Sequence, residues 1–198
     1  PETFGGVWST APDPVDFRDY QEVDLYAKKP LSLYTNPTGD RRPLARRNGE
    51  VMIWYEDFGR MDDGLGRGGQ LKSFEAVFSP LTNSGEPLLM WTRDTGTIVP
   101  ATVKYWVEYD INRLIKRRWN AGLKEKLAGK INVFMGTEDT FYLEGACEYL
   151  KQTMAELESD AVIELFPGKD HFNLTTAELM SRIRKEMSAS FLQYHSVE

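Results

Sequence analysis

The sequence predicts an α/β fold with parallel strands, and two strand–helix units in its C-terminal third carry that expectation. Residues 131–135 form a short apolar run, and Leu143, Ala146, Cys147, Leu150, Met154 and Leu157 then recur at helical spacing over about 141–158. Residues 161–166 form a second apolar run. A second helix is predicted to follow it from near Thr176, with the buried stripe Leu179, Ile183, Met187 and Phe191. Strand–helix–strand–helix order makes the strands parallel and lays helices on the faces of the sheet.

The remaining elements follow in chain order. The opening Pro1-Glu2-Thr3-Phe4-Gly5-Gly6-Val7-Trp8-Ser9 reads as a loop running into a short strand. The next stretch, Ala11 to Phe17, holds Pro12 and Pro14, which remove backbone donors and make a stiff, non-helical loop. Residues 21–129 lack a regular alternation of strand and helix. Turn signals at Asn36-Pro37-Thr38-Gly39 and Asn83-Ser84-Gly85 separate helix-like pieces, with short helices expected over 50–58 and 69–78. A longer helix is expected over 100–119, with Pro100 in its first turn. Trp54, Trp91, Trp106 and Trp119 all lie in this region, which reads as a cap-like or connecting insertion whose tryptophans wall a pocket. Thr175 and Glu178 stand at capping-box spacing before the last helix.

At 198 residues the chain can bury one sizeable core. A net charge of −6 argues against a nucleic-acid partner, which calls for a basic surface. The single Cys147 excludes an intramolecular disulfide, and no apolar run approaches membrane-spanning length. The chain does not begin with Met and opens close to a strand, so it is expected to be a piece of a longer protein.

The candidate chemistry lies at the ends of the two apolar runs. His171 follows residues 161–166 and Asp139 follows residues 131–135. In a doubly wound sheet functional groups collect outside the carboxyl ends of the strands. An acid there can hold a histidine in one tautomer while the imidazole exchanges a proton near neutral pH. The competing reading makes Asp139 a helix cap and His171 an ordinary loop residue; Glu138 is the rival acid.

Other motifs carry less. Gly64-Leu65-Gly66-Arg67-Gly68-Gly69 fits the dinucleotide pattern G-x-G-x-x-G, but acids and not a strand precede it, so it reads as a flexible loop. Lys116-Arg117-Arg118, Arg41-Arg42 and Arg46-Arg47 read as solvated helix-end and loop charges. His171 and His195 are far apart in sequence, and no cluster has metal-ligand spacing. Cys147 falls on a buried helix stripe, and Asn173-Leu174-Thr175 fits a glycosylation sequon whose Thr175 is better explained as a helix cap.

Gly136-Thr137-Glu138-Asp139-Thr140-Phe141-Tyr142-Leu143 and Phe166-Pro167-Gly168-Lys169-Asp170-His171-Phe172 resemble the acid and histidine segments of alpha/beta-hydrolase esterases. The opening segment from Gly5 to Phe17 looks like the stretch after the nucleophile helix of that family. Residues 91–98 and 105–110 look like its insertion. The resemblance implies a carboxylic-ester hydrolase with Asp139 as triad acid and His171 as triad base, a small ester substrate, and neither cofactor nor metal.

The chain departs from the family at the nucleophile. No G-x-S-x-G occurs in it; Ser9 and Ser84 come nearest, and neither is expected at a strand-to-helix elbow. The expectation is a C-terminal fragment of an alpha/beta-hydrolase domain spanning 1–198, with 21–129 as the insertion and the serine outside the chain. Such a fragment would be inactive alone. The alternative is a non-catalytic binding module, homodimeric through its exposed sheet.

Overall fold

In the computed structural model, which describes residues 4–194, the chain is α/β. β1 (Val7–Thr10) leads into the proline-containing loop, which ends in a 3-10 turn at Phe17–Asp19. The insertion starts with β2 (Pro43–Arg47) and β3 (Glu50–Trp54), an antiparallel hairpin. It continues through α1 (Tyr55–Gly64), α2 (Gln70–Phe78), α3 (Pro100–Trp106), α4 (Ile111–Arg118) and α5 (Leu123–Leu127). The expected C-terminal units follow as β4 (Ile131–Gly136), α6 (Glu144–Glu156), β5 (Val162–Phe166) and α7 (Ala177–Tyr194).

β1, β4 and β5 form one parallel sheet in the order β1-β4-β5. Side chains alternate across β4. Ile131, Val133 and Met135 face α6, meeting Ala146, Cys147, Leu150 and Met154, with Ile115 and Trp119 added from the α4 segment. Phe134 faces the other way, onto Leu174 and the α7 residues Leu179 and Ile183. A strand covered on both faces reads as a continuous apolar run, which is why 131–135 was legible. The insertion forms a separate cluster with the segment before it, in which Leu33, Tyr55, Met90, Trp91 and Trp106 pack with Phe17 and Tyr20.

Four expectations need correction. Residues 50–54 are a strand, and α1 begins only at Tyr55. The decisive residues are Asn48 and Gly49, at φ 50° and 79°. Two left-handed residues in a row make the tight turn that folds one strand back on another, and Asn-Gly is the pair that accepts it most readily. The single helix expected over 100–119 is two. Asp110, 1% exposed, accepts from Arg113 N at 2.8 Å, from Phe17 N at 3.0 Å and from the Tyr26 hydroxyl at 2.7 Å. A buried carboxylate with those partners starts a new helix instead of continuing the old one.

The last two corrections concern α7. Its cap is Thr176, whose Oγ1 accepts from Leu179 N at 3.2 Å, and not Thr175. Its buried stripe stops at Ile183, since Met187 is 49% and Phe191 59% exposed.

β4 and β5 run in register to their ends, where Gly136 pairs with Phe166. A Cβ on Gly136 would lie 2.0 Å from the Lys169 carbonyl oxygen. Backbone cannot yield as a flexible side chain can. Gly136→Ala is therefore expected to lower unfolding free energy by about 1–3 kcal/mol, as overpacking does. Gly64→Ala, with nothing within 4 Å of its Cβ, serves as the control in the same urea titrations and should not destabilise.

Candidate functional site

Two loops leave the carboxyl ends of β4 and β5 and are laced together. Thr137 N donates to the Phe166 carbonyl at 3.0 Å, and Glu138 N to the Lys169 carbonyl at 3.0 Å. Gly168 N donates to Thr137 Oγ1 at 2.9 Å. The β5 loop turns at Pro167-Gly168, where Gly168 has φ 68° and Lys169 N returns to the Phe166 carbonyl at 3.3 Å. Proline followed by a left-handed glycine suits a type II turn. Beyond it, Asp170 Oδ1 accepts from Phe172 N and Asn173 N, each at 2.8 Å, while Asn173 Oδ1 accepts from Asp170 N at 2.8 Å. Asp170 is thus committed to shaping its own loop.

This lacing brings Asp139 and His171 together. Asp139 is fully buried, and its Oδ2 lies 2.9 Å from His171 Nδ1. Its Oδ1 accepts from Phe141 N at 2.8 Å, and its carbonyl accepts from Arg46 Nε at 3.0 Å. The rival acid Glu138 is exposed. Against a carboxylate, neutral imidazole carries its proton on Nδ1 and keeps an acceptor lone pair on Nε2. Among the described residues Nε2 has no hydrogen-bond partner. The ring is held edge-on to Phe141 (centroids 4.9 Å) and Phe172 (5.5 Å). The hydrogen bond to Asp139 raises the His171 pKa above its usual value, against burial, which lowers it.

Arg46 is a residue whose role the sequence concealed. Read as a solvated charge, it is a clamp on the acid loop: its N donates to the Thr140 carbonyl at 2.8 Å, and its guanidinium pairs with Glu144 and lies 4.4 Å over the Tyr142 ring. Tyr142 itself has φ 58°, which costs an ordinary residue about 1–2 kcal/mol. That left-handed residue also explains why α6 starts at Glu144, later than its apolar spacing predicts. The other basic groups mostly have partners, with Arg41 on Asp57, Lys116 on Glu156 and Arg117 on Glu108.

A cavity of about 180 Å³ opens beside His171. The insertion supplies much of its wall through Leu44, Ile53, Phe58, Leu71 and Phe74, and Asp13 stands at it with the imidazole. Burial raises the Asp13 pKa, and the nearby His171 opposes that rise. The tryptophans do not line it: Trp91 and Trp106 are 1% and 0% exposed inside the insertion's own core.

The remaining candidates are placed elsewhere. Ser9 sits within β1 opposite Val133, and Ser84 in a turn at 2.9 Å from Thr82 Oγ1; neither hydrogen-bonds to His171. The G-x-G-x-x-G stretch joins α1 to α2 through a 3-10 turn at Gly66–Gly68. The N-terminus of α2, where a pyrophosphate would bind, is taken by Asp62, whose carboxylate accepts from Leu71 N and Lys72 N at 3.3 Å each. Burial pushes the Cys147 thiol up to about 12, as suits a core residue. Among the described residues no group of three or more His, Cys, Asp or Glu converges as a metal site. His195 lies outside the described residues.

Compared with known proteins, the chain matches no family model and no curated relative.

The pair makes a titration testable. His171→Gln identifies the His171 imidazole resonance by its loss, and Asp139→Asn is expected to lower the pKa of that resonance. Because the folded pKa is the raised one, the stability contributed by the charged pair is full below about pH 6.5 and fades as pH rises through the folded value. An unchanged titration in Asp139→Asn would show that the carboxylate does not govern the imidazole.

Proposed function

We propose that Asp139 and His171 are the acid and base of a serine-hydrolase triad in an alpha/beta-hydrolase esterase, with the nucleophilic serine supplied by residues outside this chain. The observation that carries the reading is the 2.9 Å contact between Asp139 Oδ2 and His171 Nδ1 at the ends of adjacent parallel strands. The parallel sheet with helices on both faces would then be part of a larger hydrolase sheet, and residues 21–129 its cap-like insertion.

In this mechanism His171 Nε2 takes the serine proton as the oxygen attacks the ester carbonyl. The imidazolium, held by Asp139, returns that proton to the departing alcohol and leaves an acyl-enzyme. Water then repeats the sequence: Nε2 accepts its proton, the acid is released, and the serine regains its hydrogen. No cofactor enters these steps. The apolar cavity beside the imidazole suits the small organic part of an ester.

The test is hydrolysis of 4-nitrophenyl butyrate by the full-length protein. His171→Ala is expected to lower kcat roughly 10²–10⁴-fold, the usual worth of a positioned base. Turnover that survives the substitution refutes the assignment. The 198-residue chain alone should be inactive, and activity in it that Ser9→Ala abolishes would refute an external nucleophile.

A second reading, a binding or self-association module, is favoured by a specific surface. Phe4 (72% exposed) just before β1, Val7 (50%) on it, and Met187 (49%) and Leu192 (55%) on α7 are exposed apolar residues, and among the described residues β1 pairs with β4 alone. Sedimentation equilibrium of the chain should show a dimer that Val7→Asp with Met187→Glu converts to monomer. A monomer before substitution rules self-association out.

A further inference from the structure

We propose that the Tyr20 hydroxyl is a hydrogen-bond donor built into the floor of the cavity beside His171, and that the cavity takes a compact, uncharged, mostly apolar group carrying one hydrogen-bond acceptor. As a binding site this stands apart from the triad; as the pocket for the substrate it rests on the reading above.

Tyr20 is 2% exposed and lines that cavity. Its ring is fixed among aromatic neighbours, with centroids 5.8 Å from Phe17, 6.0 Å from Trp106 and 6.3 Å from Phe74. Its backbone is fixed too, since Tyr20 N donates to the Val23 carbonyl at 2.8 Å and Val23 N returns to the Tyr20 carbonyl at 3.2 Å. The two residues inside that turn, Gln21 and Glu22, have φ 52° and 66°, strained for side chains that are not glycine. A phenol held this firmly meets no hydrogen-bond partner among the described residues. Its oxygen is not among the sealed, unpartnered polar atoms, so the hydroxyl opens on the cavity and is free to donate to an acceptor that enters.

Two neighbouring polar groups, Gln21 and Tyr55, are by contrast already satisfied. Gln21 on the same wall donates Nε2 to the Phe141 carbonyl at 3.2 Å, and its Oε1 accepts from the Tyr55 hydroxyl at 2.9 Å. Among the described residues Tyr20 is left as an unpaired hydroxyl on this wall. Burial pushes its pKa well above the usual phenol value, so the proton stays on the oxygen at any physiological pH.

Charge settles the class of ligand. Leu44, Ile53, Phe58 and Leu71 make up the apolar part of the wall, against which desolvating an ion is costly. Asp13 and His171 share the wall and favour each other's charged forms, so an added ion of either sign meets a like charge there. A neutral carbonyl or ether oxygen, carried on a hydrocarbon body, meets both conditions.

The experiment uses the chain itself and needs no turnover. Acetophenone and α-methylstyrene are close in size and outline, but the first has a carbonyl oxygen where the second has a methylene. Both are titrated into the protein while the His171 imidazole resonance is followed. Tyr20→Phe is expected to weaken acetophenone binding roughly 2–12-fold, the factor one net neutral hydrogen bond supplies, and to leave α-methylstyrene affinity unchanged. Equal loss for both probes, no loss for acetophenone, or no binding of either to the unsubstituted protein would each overturn the proposal. The two readings fail separately. Ester turnover insensitive to His171→Ala sinks the triad and leaves these affinities as they are, whereas probe affinities insensitive to Tyr20→Phe leave the triad standing.

Discussion

The in-register parallel pairing of β4 with β5 is the constraint on which the rest depends. It ends both strands at the same level, with Gly136 beside Phe166, so that the loops leaving them start as neighbours. A missing side chain at Gly136 then lets the Lys169 carbonyl come close, and three hydrogen bonds tie one loop to the other. Only after that lacing do a buried carboxylate and a half-buried imidazole meet at 2.9 Å. The pair is a consequence of strand register and of the hydrogen bonds between the two loops.

The insertion gives that pair its surroundings. It has its own hydrophobic cluster, so its shape does not rest on the sheet core alone. Arg46, on the β2 strand, reaches across to the acid loop by backbone and side chain, joining the hairpin to the end of β4. Because the same hairpin also lines the cavity through Leu44 and Ile53, the position of the wall and the position of the acid are coupled. Left-handed backbone at Gln21, Glu22 and Tyr142 clusters in this part of the molecule, where the turns must be tight to place side chains around one small space.

The electrostatic pattern is divided. On the insertion and helix ends Arg41, Lys116 and Arg117 are matched with carboxylates, on a chain of net charge −6. At the cavity, by contrast, Asp139 and Asp13 both favour the charged form of His171. An imidazole so placed holds a proton more readily than a free one, which suits a group that must stabilise its own cation in passing.

The parallel α/β core, the β4 and β5 strands and the Asp139–His171 partnership were legible in the chain because they depend on short-range signals. These are continuous apolar runs, 3.6-residue stripes and polar groups placed just past strand ends. Where a local signal was ambiguous the structure departed from it. The Asn48-Gly49 turn made a strand of residues expected to be helical, and the buried Asp110 divided a helix that periodicity alone would have run through. Neither the clamp at Arg46, the unpaired phenol of Tyr20, nor the burial of Trp91 and Trp106 away from the cavity was readable beforehand. Each depends on which residues from distant segments share a space, and that is decided by packing, because the spacing of residues along one segment says nothing about what another brings against it.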